Sequence, residues 1–289
     1  MRALLVAASI LAGAAVAAGP AAAEPQKLWE LDGLRQPESA LFDASGGVIY
    51  VSEVVGDMRA KDGVGAISKV SPDGKMVEAD WVTGLDAPKG LALSGGKLYV
   101  ADIDQLVEIE IASARIVARH PVPGAIFLND VASDPAGRVF VSDTMTNTIW
   151  TLQGGEMKPW LKHDALKGPN GLTVEGDGMI VAGFGKPPSD GQAAVPGNLV
   201  EAPLSGETAR DLGDGSPVGA LDGLVALGGG KYLATDYLKG PLYLIDAKGS
   251  FEVLAELPPG SADLSFDPAS RTAFVPLNKA GKLLAFRIP

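Results

Sequence analysis

The chain has 289 residues, no cysteine and a formal net charge of −11. Without thiols the fold is held by its packed core alone, and the length suits one domain with a sizeable core. The acidic balance argues against a nucleic-acid partner, which needs a basic stripe, and is compatible with a bound cation.

The first element is MRALLVAASILAGAAVAAGPAAAEP: one positive charge at Arg2, an apolar run over 3–18, and small residues ending at Ala23. This pattern predicts a secretory signal, residues 1–23, cleaved after Ala23. An N-terminal membrane anchor is the competing reading. Cleavage leaves 266 residues and takes the formal charge from −11 to −12. No later stretch approaches the ~18–20 apolar residues that span a bilayer. The mature protein is therefore expected in the periplasm or outside the cell, with no membrane association.

Beyond the signal, strand-like runs of Val, Ile, Leu, Tyr and Phe alternate with Gly, Pro, Asp and Asn turns. QKLWELD (26–32) comes first. Six self-similar hairpins follow: PESALFDASGGVIYVSE (37–53), PKGLALSGGKLYVAD (88–102), LNDVASDPAGRVFVSD (128–143), PNGLTVEGDGMIVAG (169–183), LDGLVALGGGKYLATD (221–236) and SADLSFDPASRTAFVP (261–276). Their second residues are Glu38, Lys89, Asn129, Asn170, Asp222 and Ala262, spaced by 51, 40, 41, 52 and 40. Four-strand repeats of about 40–50 residues are the mark of propeller blades. The prediction is an all-β, six-bladed β-propeller over 24–289, a single domain. The sixth copy lacks an outer strand, which 26–32 can supply, closing the ring.

Strand alternation puts the six aligned residues at one end of the propeller, around its axis. The long loops 53–65 and 183–198 belong to that same end and read as a partial lid. Glu38, Asn129, Asn170 and Asp222 then offer four converging oxygen donors with two negative charges. That set suits a hard divalent cation, calcium first, with manganese, magnesium or zinc as alternatives. The competing reading takes Asn170-Gly171 and Asp222-Gly223 as ordinary turn dipeptides. Asp134-Pro135-Ala136-Gly137 reads as a plain turn. Asp143 and Asp236, ending second strands, are read as structural caps or as residues orienting the ring.

PESALFD, FLNDVASDPAGRVF, GPNGLTV and LDGLVAL, in that order, resemble the motifs of the senescence marker protein, gluconolactonase and luciferin-regenerating enzyme family of six-bladed propellers. The resemblance implies metal ligation by Glu38, Asn170 and Asp222, with Asn129 as a fourth ligand or a substrate contact. It also implies that Asp222 is the catalytic base or acid. Sugar-lactone members usually carry an Arg where this chain has Phe127. An apolar wall there suits a more hydrophobic ester, lactone or phosphotriester. Lys89 is an unusual ring member, placed to anchor a substrate anion or to balance the acidic charge.

A divalent cation polarises a lactone or ester carbonyl and acidifies water, whose proton Asp222 can take. No G-x-S-x-G elbow occurs, and His120 and His163 fall outside the ring register. His120 is read as a loop residue at the same end, either a plain loop histidine or a proton shuttle. The expected function is metal-dependent hydrolysis of a small-molecule lactone or related ester. The alternative is a non-catalytic propeller that binds a ligand or protein partner around a structural cation.

Overall fold

The computed structural model describes residues 24–189 and 191–289. The expected signal segment, residues 1–23, lies outside the described residues. Six four-stranded antiparallel sheets follow one another along the chain. Their innermost strands are Pro37–Asp43, Pro88–Ser94, Leu128–Ser133, Pro169–Glu175, Leu221–Gly228 and Ser265–Asp267. Each contacts the innermost strand of the next blade, and the sixth contacts the first. The expected six-bladed propeller is the fold observed. The sixth innermost strand is the shortest: residues 261–264 make only single bridges, Ser261 to Leu277 within the blade and Asp263 to Ser39 across to blade 1, rather than a continuous ladder.

Closure runs as the repeat arithmetic requires. Gln26–Asp32 forms the outer strand of blade 6, antiparallel to Lys282–Arg287. Trp29 fastens it: its ring lies 5.9 Å from that of Phe274, and its Nε1 donates to the Pro72 carbonyl of blade 1 at 2.9 Å. Joining both chain ends in one sheet removes an open edge.

The apolar residues collect between blades. Tyr50, Ile67 and Leu85 of blade 1 meet Leu91, Val100 and Ile109 of blade 2, and each following pair repeats the arrangement. Middle strands are thus covered on both faces, and Lys97–Asp102 and Val139–Asp143 are buried almost throughout. That is why LYVAD and VFVSD read as continuous apolar runs. The outer strand Arg115–Pro121 alternates half-buried and exposed positions, as a strand covered on one face should.

The long loops follow second strands, at the end where the innermost strands begin. Residues 54–64 carry no regular structure, and 184–197 hold a short hairpin of Gly185–Lys186 and Val195–Pro196. Among the described residues no helix is long and apolar enough to cross a membrane.

Candidate functional site at the propeller axis

Five innermost strands share one irregularity. Their pairing with the second strand slips between Pro37 and Ser39, Pro88 and Leu91, Leu128 and Val131, Pro169 and Leu172, and Leu221 and Leu224. In each case the slip contains the aligned ring residue. A bulge re-aims the side chains it carries, and here it does so five times at one level of the axis. The freed backbone amides are met from the second strand: Ser52, Ser142 and Thr235 hydroxyls accept from Ser39, Asp130 and Gly223 at 2.9 Å each.

The acidic residues that end second strands hold the loops that deliver the ring. Asp102 accepts from the amides of Asp86 and Ala87, and Asp143 from those of Ile126 and Phe127. Glu53 accepts from Arg35 N at 2.6 Å. Asp236 instead caps the turn beyond it, accepting from Leu238 and Lys239. The capping reading of Asp143 and Asp236 therefore holds. Asp134 likewise closes its turn, with Gly137 N donating to its carbonyl and Arg138 N to its carboxylate.

At the ring itself Glu38, Lys89, Asn129, Asn170 and Asp222 are all buried. Burial, then the charge of Asp222, pushes the Glu38 carboxyl well above the usual range, while Lys89 opposes the shift. Asp222 is raised by burial and by Asp263, against a hydrogen bond from Asn170. Among the described residues, Glu38 Oε2 and Asp222 Oδ1 are buried with no partner. Asn129 donates its Nδ2 to Thr144 Oγ1 at 3.1 Å, so its oxygen remains for the axis. Two orphaned carboxylate oxygens and two amides fit a cation or a proton, since buried polar atoms do not stay unpaired without cost. Among the described residues no three Asp, Glu, His or Cys side chains converge to hold a metal. A cation here would depend on the amide oxygens as much as on the carboxylates.

Asn170-Gly171 and Asp222-Gly223 are not turns. Both pairs begin strands, and neither glycine has positive φ. A β-carbon on Gly223 would lie 2.5 Å from Leu264 N and 2.7 Å from Asp263 Cα. One on Gly171 would collide with the Asp222 carbonyl and lie 2.9 Å from Leu224 N. The glycines are there because neighbouring innermost strands approach backbone to backbone.

They belong to a second layer just beyond the ring: Ser39, Gly90, Asp130, Gly171, Gly223 and Asp263. Asp130 ties blade 3 to blade 4 by accepting from Leu172 N at 2.6 Å. Asp263 ties blade 6 to blade 1 by accepting from Ser39 Oγ at 2.5 Å. Burial pushes Asp263 up to about 7, and burial and then the charge of Asp263 raise Asp130 well above the usual carboxylate range. Reading the repeats one residue further would have exposed both carboxyls.

A third register was also missed, the residue after each second strand: Val54, Ile103, Thr144, Phe184, Tyr237 and Asn278. Tyr237 donates to Asn278 Oδ1 at 3.3 Å and lies 4.0 Å from Met58 Sδ. Burial, then Asp222 and Glu38, pushes its phenol up to about 12. Met58 belongs to the first long loop, and its carbonyl accepts from Lys89 Nζ at 3.2 Å. The first loop therefore does reach over the axis. Lys89 also donates to Ala87 O at 3.0 Å and sits 4.6 Å from the centre of the Phe127 ring. Burial lowers its pKa, with Glu38 and Asp102 opposing.

His120 lies in the outer strand Arg115–Pro121 rather than in a loop. Its ring nitrogens are 2.8 Å from Glu108 Oε1 and 2.9 Å from Gly155 O, which leaves it no free nitrogen for a shuttle. His163 caps a short 3-10 turn, accepting from Ala165 N.

No family model matches the chain, and no curated protein matches it. Solved structures do. A selenomethionine-substituted virginiamycin B lyase from Staphylococcus aureus is similar with a TM-score of 0.61 at 13% identity, over 90% of this chain and 99% of that one. A catalytically inactive histidine-to-alanine variant of that lyase, with quinupristin, gives 0.59 at 14% identity over 92% and 100%. At such identity the likeness establishes the propeller fold alone.

Proposed function

We propose that this protein is an exported, divalent-metal-dependent hydrolase of a lactone or related ester, with its reaction centre at the axial ring. The observation that carries the proposal is the pair of orphaned, buried oxygens on Glu38 and Asp222, flanked by Asn129 and Asn170. The resemblance of the four ring motifs to the senescence marker protein, gluconolactonase and luciferin-regenerating enzyme family supports it. Glu38, Asn129, Asn170 and Asp222 would hold the cation, and an all-oxygen set with two carboxylates favours calcium. When bound, the cation polarises a carbonyl and offsets the charge that develops on its oxygen.

The chain's own residues supply the rest. Asp222 takes the proton of the attacking water. Asn170, at the neighbouring ring position, would orient the carboxylate of Asp222. Phe127 and Met58, both in contact with Lys89, and Tyr237, in contact with Met58, would favour an apolar substrate body over a sugar.

The test is turnover on a panel of lactones and aryl esters, with chelator and with added calcium or manganese. Metal-dependent turnover supports the hydrolase. A second reading is a ligand-binding propeller whose cation only ties the blades together. The cover that Met58 places over Lys89 favours it. No turnover on the whole panel, with a lower melting temperature on chelation, would select this second reading.

A further inference from the structure

The space above the acidic ring is rimmed by cations, in a chain whose formal charge is −11. Arg59, in the loop over the axis, lies with its guanidinium carbon 5.4 Å from the centre of the Phe127 ring. Lys89 approaches the same ring at 4.6 Å. Across the mouth, Lys279 Nζ lies 5.1 Å from the Tyr237 ring centre. Arg59 and Lys279 are exposed; Lys89 is fully buried. Among the described residues no carboxylate oxygen lies within 4.0 Å of any of these three cationic groups. The nearest acidic residue in sequence, Asp57, spends an oxygen on the Arg59 backbone amide at 2.8 Å. Asp104 is taken by Lys61 at 2.6 Å.

Lys89 adds a second observation. An ammonium has three N–H donors, and only two are used, on the carbonyls of Ala87 and Met58. The third remains at a buried position beside Glu38. Stacking on aromatic faces holds each cation in place without neutralising it. Aromatic faces of Phe127 and Tyr237 carrying cations with no carboxylate partner complement an aromatic or apolar body that bears a negative charge.

We infer that the mouth selects substrates carrying an anionic group on an apolar, aromatic-sized body. Arg59 and Lys279 are the specificity-determining residues, and the free N–H of Lys89 is the deeper anchor. This rests on the reading that the ring is the reaction centre, and it names the class of molecule that centre receives. It also explains how a substrate anion tolerates a site floored by carboxyls: Arg59 and Lys279 lie on aromatic faces between the solvent and the ring, and Lys89 lies within the ring.

The test is calorimetric titration of the mature protein with phenylacetate and with phenylacetamide, which differ in charge but hardly in shape. Phenylacetate should bind about tenfold tighter or more, a difference of roughly 1.4 kcal/mol, and the preference should shrink as salt is raised. In the double variant Arg59→Gln, Lys279→Gln the preference should fall at least about threefold, the remainder being that of Lys89, while the melting temperature stays put, both side chains being exposed. Equal binding of the two probes by the unmodified protein, or a preference undiminished in the double variant, overturns the inference. A silent ester panel with the phenylacetate preference intact would remove the hydrolase and keep the anion site. Metal-dependent turnover with no charge preference would do the reverse.

Discussion

Lys89 Nζ donates to the carbonyl of Met58 at 3.2 Å, so a fully buried ring cation holds down a loop 31 residues away in sequence. The contact joins the floor of the site to its cover. With the Met58 Sδ and Tyr237 hydroxyl contact at 4.0 Å, it positions the first long loop over the axis.

Lys89→Met should therefore loosen that loop without unfolding the propeller. Methionine fills the volume but leaves the Met58 and Ala87 carbonyls without their donor, a loss of about 1–3 kcal/mol. Trypsin cleavage after Arg59 and Lys61, followed by mass spectrometry, should accelerate about tenfold, because cleavage follows the population of the open form. An unchanged cleavage rate would separate the loop from Lys89.

Asp222→Asn should abolish turnover, with a loss of at least about 100-fold, since general-base removal typically costs that much or more. Folding should survive. The native carboxyl is raised by burial and by Asp263, so an uncharged isostere relieves repulsion in the metal-free protein. Chelated variant and chelated parent, compared by thermal melting, should show the variant equal or higher. A variant with full turnover would end the proposed mechanism.

The pH dependence of the metal-free protein should run opposite to the common acid-unfolding pattern over part of its range. Asp263 has its pKa raised from 3.8 to about 7 in the folded state. Between those values the folded chain binds more protons than the unfolded chain, so stability falls as pH rises. Glu38, Asp130 and Asp222 are raised in the same direction. Melting temperatures in chelator should drop from about pH 5 to pH 8, and Asp263→Asn should flatten that slope. A flat profile in the parent protein would show that these carboxyls do not carry the burial cost assigned to them.

Gly171→Ala and Gly178→Ala form a matched pair, neither glycine having positive φ. At 171 a β-carbon meets the backbone of blade 5, whereas at 178 its nearest atom is Ala202 O at 3.5 Å. The first variant should lose about 1–3 kcal/mol or more, as overpacking against backbone does, and the second should stay near neutral. Denaturant unfolding reads both. Similar midpoints would mean the innermost strands can shift apart to accept the methyl.

The repeat alone was enough to determine six blades, their closure by 26–32 and the common register of Glu38, Lys89, Asn129, Asn170 and Asp222. Those features are periodic, and periodicity is visible in one dimension because each blade solves the same packing problem. Tertiary structure decided what lies between blades. Gly171 and Gly223 look like turn residues in sequence, yet they serve a close approach of strands about 50 and 40 residues apart. Asp263 looks like a surface acid and is a buried staple to Ser39. Met58 looks like any loop residue and covers the axis. None of these has a local signature, because each is fixed by the neighbouring blade's backbone or by a loop crossing the mouth. The ring, Lys89 included, could be read from the sequence; the exposed cations Arg59 and Lys279 above it could not, since folding alone brings them to that end of the axis.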